Sequence, residues 1–357
     1  MLEPYILSLN AHPKIGSQTI AKICHAFNND LKKAWSASES VIHKKLDDKI
    51  SGLFLEAREK YSPEDELNKM RDCGAGYITF WDKQYPKLLK EIPNAPAILY
   101  VRGDVEVLSQ SSLAIVGSRK YTSYGIRSAQ KLSHEISEAG LVVVSGLALG
   151  IDSVVHRANV DVHGKTIGVL ACGVDTVYPS SNRQLAEQIL EMGGAIISEY
   201  PCGYPPLKQN FPQRNRIIAG LSLGTLVVEA AEKSGALITA FLALEANREV
   251  FAVPGNIDCE NSAGSNYLIQ KGAKLVRNAE DVFEELNILI KLKKSEEYQP
   301  ETEDESMVIQ YLSEPDGLTI DELIRVSGLN IVSINMTLTI LEMKGIVSNV
   351  GGRFTLS

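Results

Sequence analysis

No two cysteines in this sequence are spaced as CxxC; the five present, Cys24, Cys73, Cys172, Cys202 and Cys259, are scattered along the chain. That distribution argues against a zinc site and against a disulfide framework, and it fits a reduced, cytoplasmic setting. The first residues, MLEPYILSLNAHPKIG, lack a basic stretch leading into a long apolar one, and no apolar run approaches the roughly 20 residues needed to cross a bilayer. A soluble, unexported protein with no membrane partner is the expectation. There is no GxxxxGK[ST] loop to cradle ATP. After the first strong strand the chain reads VGSRKYTSYG and not GxGxxG, with Arg119 where a glycine would let a pyrophosphate approach, which weighs against a dinucleotide enzyme. His156 and His163 have no Cys, Ser or second His in sequence range to partner them. No catalytic residue, metal or cofactor is therefore assigned.

What is present is apolar content of 44%, ample for a sizeable core, in a length suited to two or three domains. Residues 1–65 read as short helices. The Pro13-Lys14-Ile15-Gly16 turn before a helix starting near Ser17 has two open readings, a helix-hairpin-helix element holding a backbone phosphate or a tight turn between packed helices. Over 66–290 apolar runs alternate with amphipathic helices. LAIVG, LVVVS, TIGVLA, GAIISE, TLVVEA, EVFAVP and KLVR read as strands. In SYGIRSAQKLSHEISEAG, Ile126, Ala129, Leu132 and Ile136 share a face, and Gly140 and Gly272 read as helix C-caps. This pattern predicts an α/β fold with a doubly wound, Rossmann-like parallel sheet. A charged linker follows over 291–303. Residues 304–357 read as three helices and a hairpin turning at Gly351-Gly352, a small winged-helix domain. Its third helix, NIVSINMTLTILEMKG, is mostly apolar with Lys344 its only basic residue, which predicts protein contact or packing in preference to base reading.

The net charge of −8 sits unevenly. Residues 111–220 sum to +2 and residues 301–357 to −6, so the acidity lies away from the central segment. In that segment three apolar runs stop at glycine or a small residue, in LAIVGSRK, LVVVSGLALGID and KTIGVLACGVD, and a fourth stretch, FPQRNRIIAGLS, opens a helix with two arginines. Ligands gather at the carboxyl ends of parallel strands. Arg119, Lys120, Lys165, Arg214 and Arg216 thus suggest a polyanion site, with nucleic acid the leading candidate, although Lys165 begins its strand and does not end it.

Together the GSR of Gly117–Arg119, SGLALGID, the YP of Tyr178–Pro179, SEYP, FPQRNRIIAG, EKSGALITA and the VPG ending at Gly255 resemble the DprA/Smf family of DNA-processing proteins. The likeness is dense over roughly 110–275 and loose on both flanks. It implies binding of single-stranded DNA without chemistry, delivery of that strand to the RecA recombinase during natural transformation, and a homodimer. It also adds Lys165 to the DNA-binding candidates.

Within the site, Gly117 lets the backbone approach a phosphate that Arg119 grips bidentately, with Ser118 and Lys120 beside it. Gly146 and Gly150 offer loop amides to a phosphate, while Asp152 complements a helix N-terminus. Arg214 and Arg216 flank Asn215 and diverge on a helix, so one faces the ligand and the other pairs with an acid; the residues alone leave open which, and the resemblance favours Arg214. Phe211 is either a stacking platform for a base or a hydrophobic staple. Two rival functions stand beside DNA binding. One is nucleotide binding or nucleoside-monophosphate hydrolysis on the related lysine-decarboxylase-like fold, for which IAGLSLGTLVVEA keeps Gly224, Thr225 and Glu229 but lacks PGG and a carboxylate pair. The other is a protein-interaction scaffold. Finally, the helix holding Tyr267, Leu268 and Ile269 cannot bury all three, which predicts an outward apolar side chain and a dimer interface at Leu268 or Ile269.

Overall fold

The structure is a computed structural model that describes residues 4–288, 300–312, 317–344, 346–350 and 352–356. Most of the linker predicted over 291–303, and Gly351 of the hairpin turn, lie outside the described residues. Contacts divide the chain into two units, Met1–Lys291 and Leu292–Ser357.

Among the described residues the first unit is built on a nine-stranded sheet in the order β1-β2-β6-β5-β4-β3-β7-β8-β9. The strands are β1 (Gly76–Thr79), β2 (Ile98–Gly103), β3 (Ser112–Val116), β4 (Val142–Ser145), β5 (Thr166–Val169), β6 (Ala195–Ser198), β7 (Gly224–Val227), β8 (Glu249–Ala252) and β9 (Lys274–Leu275). The seven from β3 to β9 run parallel, and each falls on a predicted apolar run. Covered by helices on both faces, β3 to β7 are buried at every position, as uninterrupted apolar sequence requires. The pair β1 and β2 joins antiparallel beside β6. In the helix Ser123–Glu138, capped by the Thr122 hydroxyl on the Gly125 amide at 3.1 Å, Ala129, Leu132 and Ile136 form the inward stripe. The helix ends at Gly140, whose φ of 87° suits a residue without Cβ.

The helices predicted over 1–65 are present, but they do not form a unit of their own. Ile20, Phe27 and Phe54 close over Ile98 and Tyr100 of β2 in one core, because the outer face of this antiparallel edge has no other cover. In the turn before Ser17, Pro13, Lys14 and Gly16 are exposed and Ile15 is buried. The Ser17 hydroxyl donates to Glu199 at 2.8 Å and accepts from the Ala97 amide at 3.0 Å, which turns that helix N-terminus into the body of the unit.

In the second unit the helices Glu303–Leu312, Ile320–Ser327 and Ile331–Met343 pack with an antiparallel hairpin of β10 (Val347–Val350) and β11 (Arg353–Leu356), the predicted winged helix. Val308, Leu323, Leu338 and Phe354 lie in its core. A capping box between Thr319 and Glu322 opens the second helix and left-handed Gly328 closes it. Lys344 is held by Glu301 at 3.1 Å and Glu305 at 3.3 Å, while Val332 and Met336 on the third helix are exposed. Among the described residues no single helix is long and apolar enough to cross a membrane.

Of the two expected interface residues, Leu268 is corrected. On the helix Ala263–Gln270 it is Tyr267 that faces outward, at 42% exposure, while Leu268 is buried at 2% and Ile269 packs half-buried on the same core. Gly264 sets the helix phase: its amide donates to the Ala230 carbonyl at 2.7 Å, and Leu268, four residues on, shares its inward face. Leu268→Ala is therefore expected to cost about 2–5 kcal/mol in urea unfolding, whereas Tyr267→Ala stays within about 0.5 kcal/mol of wild type in the unfolding of the single chain. Equal effects would place Leu268 outside the core.

Candidate functional site

Strand order reverses between β3 and β7, the position where open α/β sheets carry a crevice beyond their carboxyl ends. A cavity of about 1030 Å³ lies there. One wall is the turn after β3, lined by Gly117, Ser118, Arg119 and Lys120, and another is the helix Asn210–Leu221, contributing Phe211, Arg214 and Asn215. Gly117 has no room for a Cβ, which would lie 2.7 Å from Ile151. The Ser118 hydroxyl donates to the Lys120 carbonyl at 2.8 Å and accepts its amide at 3.0 Å, so it shapes the turn that presents the Arg119 and Lys120 side chains. Both cations are exposed.

Arg214 is 4% exposed. Its guanidinium donates to the Gly146 carbonyl at 2.6 Å and to that of Val169, bridging the ends of β4 and β5. Burial, with Arg119 nearby, lowers its pKa to about 10 against the opposing pull of Asp152, and it remains a cation at neutral pH. The Asp152 carboxyl is itself pushed upward by burial, offset by Arg214. Arg216 instead forms a two-pronged pair with Glu199, at 2.7 and 2.6 Å, away from the cavity. The two arginines thus diverge as the helical spacing predicts, and Arg214 is the one that lines the cleft.

Phe211 lies in the first turn of its helix and lines the cavity, which settles the staple alternative against a buried contact ahead of the helix. The Arg119 and Arg214 guanidinium carbons stand 5.6 and 5.9 Å from its ring centre, within cation–π range. Tyr178, half exposed, meets the same ring edge-on at 5.9 Å. Asn215 accepts from Arg214 Nε at 3.3 Å and borders the cavity.

Three expected ligand contacts, Lys165, Gly146 and Gly150, are not among the residues lining this cavity. Lys165 precedes β5 and pairs with Asp104 at 3.6 Å, at the end of the sheet opposite the cavity, because a residue that starts a parallel strand cannot reach its carboxyl end. Gly146 is buried beneath Arg214; a Cβ there would lie 2.6 to 2.7 Å from the guanidinium and the Asp152 carboxylate, so this glycine makes room for a side chain. Gly150 is buried at φ of 97°, and a Cβ would strike the Ser118 carbonyl. It lets two loops touch.

Lys208, Lys233 and Tyr178 also line the cavity and were not singled out by sequence reasoning. Tyr178 had a signal in its YP motif and Lys233 in EKSGALITA, and Lys208 lies three residues before Phe211. With Arg119, Lys120 and Arg214 the lining carries five cations against Asp152, Glu232 and Glu260. Glu229 is 1% exposed and absorbed elsewhere, accepting from the Thr122 amide at 2.9 Å and from its hydroxyl.

These features define a doubly wound α/β protein with a cationic, aromatic-walled cleft at its switch point and an appended winged helix. A family model described as DNA recombination-mediator protein A matches residues 76–287, and one described as DprA winged helix domain matches 293–353. The chain belongs to the DprA/Smf family of DNA-processing proteins. It is 47% identical over 221 residues to DNA processing protein DprA of Bacillus subtilis, spanning 62% of this chain and 74% of that one. The X-ray structure of DNA processing protein A from Streptococcus pneumoniae matches with a TM-score of 0.70 and 36% identity, covering 79% of this chain and 97% of the other. A Helicobacter pylori DNA processing protein A, described for its single-stranded DNA binding mode, matches with a TM-score of 0.53 and 31% identity over 59% of this chain and 95% of that one.

Behind Arg214, His156 is wholly buried, with Nδ1 2.8 Å from the Thr166 hydroxyl. Burial first, and Arg214 second, lower its pKa to about 3. An unfolded chain titrates near 6.5, so this neutral imidazole contributes stability that is complete above about pH 6.5 and is lost as pH falls toward the folded value. The wild type should lose up to about 1.4 kcal/mol per pH unit relative to His156→Gln across that window. Urea titrations of both proteins at pH 7, 5.5 and 4.5 check this, and parallel pH profiles would contradict it.

Proposed function

We propose that the cleft binds single-stranded DNA with little sequence preference, and that the chain delivers that strand to the RecA recombinase during natural transformation. The supporting observation is the joint placement of five cations and two aromatic rings along one open crevice. Phosphates of a flexible strand pair with Arg119, Lys120, Lys208 and Lys233, and an unpaired base stacks on Phe211 or Tyr178, an interaction worth about 1–3 kcal/mol per base. Duplex DNA keeps its bases stacked inside and offers only phosphates. The RecA role and homodimerisation rest on family membership. Dimerisation also draws on the exposed apolar side chains Ile238, Phe241 and Leu244 of the helix Gly235–Glu245 and on Tyr267. The hydrolase reading has less support, since Glu229 is committed to Thr122 and does not face the cavity.

Fluorescence anisotropy with labelled single- and double-stranded oligonucleotides at several salt concentrations tests this. Single strands should bind more tightly, and Arg119→Ala should weaken all sequences alike while reducing the slope of log affinity against log salt by about 0.7. Arg119 is a cleaner probe than Arg214, whose removal also strips two strand-end carbonyls of their donor. Equal affinity for duplex, or an unchanged slope in Arg119→Ala, would refute the assignment; release of free base from a nucleotide would favour the hydrolase.

A further inference from the structure

Two of the scattered cysteines meet in space. Cys73 caps the helix Pro63–Asp72, Cys202 sits in the turn after β6, and their sulfur atoms are 2.7 Å apart although 129 positions separate them. Both thiols are partly exposed. The turn bearing Cys202 is fixed by its neighbours: the Tyr204 amide donates to the Pro201 carbonyl at 3.1 Å, the Gly173 amide to the Tyr204 carbonyl at 2.9 Å, and the Gly203 amide to Asp175 at 2.9 Å. Cys73 is held from the other side, its thiol 3.2 Å from the carbonyls of Lys69 and Met70. The 2.7 Å approach leaves less than an ångström to the roughly 2.05 Å of a covalent bond.

We infer that Cys73 and Cys202 form a reversible disulfide on exposure to a low-molecular-weight disulfide such as oxidised glutathione. The Cys73 thiolate, its proton lost to solvent, attacks one sulfur of the oxidant, forming a mixed disulfide and expelling one glutathione thiolate. Cys202 then attacks the Cys73 sulfur, its proton going to solvent, and the second glutathione leaves. Two cysteine thiols are oxidised, one glutathione disulfide is reduced, and two glutathione thiols result. Burial, then the contact with Cys73, hold the Cys202 thiol protonated. The mixed disulfide removes the Cys73 part of that effect and leaves burial, while the 2.7 Å approach of the two sulfurs places Cys202 to act second. The bond would tie the helical region to the segment carrying Pro206 and Lys208 to the cleft rim, and it is independent of what the cleft binds.

Non-reducing peptide mapping of the native full chain after incubation with oxidised glutathione tests the inference. A Cys73–Cys202 peptide pair lighter by two hydrogen atoms, and split again by excess reduced glutathione, is expected in most molecules. Cys202→Ser should stop at a glutathione adduct on Cys73. Wild type that remains dithiol, or that pairs Cys73 or Cys202 with Cys24, Cys172 or Cys259, overturns it. So does stoichiometric zinc that survives dialysis, blocks oxidation and is lost in Cys73→Ser, since Asp175 places a carboxylate oxygen within 4.8 Å of both sulfurs and the three would then be metal ligands.

Discussion

The buried guanidinium of Arg214 is the constraint around which the cleft is organised. A cation withdrawn from water is tolerated only where its donors are used and an opposite charge is near, and stripping one partner from such an arrangement typically costs about 3–5 kcal/mol. Here the donors go to the carbonyls that end β4 and β5, Asp152 supplies negative charge, and the Phe211 ring lies alongside. The neighbours follow from that choice. Position 146 must be glycine to leave the guanidinium space, and His156 stays neutral because burial first, and the neighbouring guanidinium second, disfavour its charged form. Position 150 must be glycine for a separate reason, the contact of its loop with the β3 turn. A residue that gives the cleft charge is in this way also part of what joins two loops, one helix and two strand ends.

A chain of net charge −8 can still attract an anion because the field that matters is local. The exposed cations Arg119 and Lys120 ride on a turn shaped by the Ser118 hydroxyl, while Arg216, equally basic in sequence, is neutralised by Glu199. Lys344 in the winged helix is likewise held by two acids. Arg216 and Lys344 are thus paired with acids, while Arg119 and Lys120 stay exposed on the rim of the cleft.

Much of the fold was legible because the signals were local. Seven apolar runs of strand length, bounded by glycine and separated by amphipathic helices, give β3 to β9. The antiparallel pair β1 and β2 was missed: no amphipathic helix long enough to signal a crossover separates the two, and their cover comes from helices at the far N-terminus. Site residues on the β3 turn and the Asn210–Leu221 helix were found from charge at strand ends and helix starts. Lys165 stood as a candidate mostly on the family resemblance, against the direction of its strand, and the structure pairs it with Asp104 at the start of β5. Gly146 and Gly150 were read as phosphate amides because a glycine's use depends on what approaches it, here a guanidinium and a carbonyl. The choice between Arg214 and Arg216 required the position of Glu199, and the phase of the helix holding Leu268 required the contact of Gly264 with Ala230.

The described sheet ends on short strands, four residues in β1 on one side and two in β9 on the other. An extended backbone arriving at either margin finds few unsatisfied amides and carbonyls, too short a template to be extended as another strand. Recognition by this unit is thereby left to side chains, and a strand-forming peptide, including a partly unfolded copy of the same chain, has little to nucleate on. Margins of this length give another chain little to pair with strand by strand.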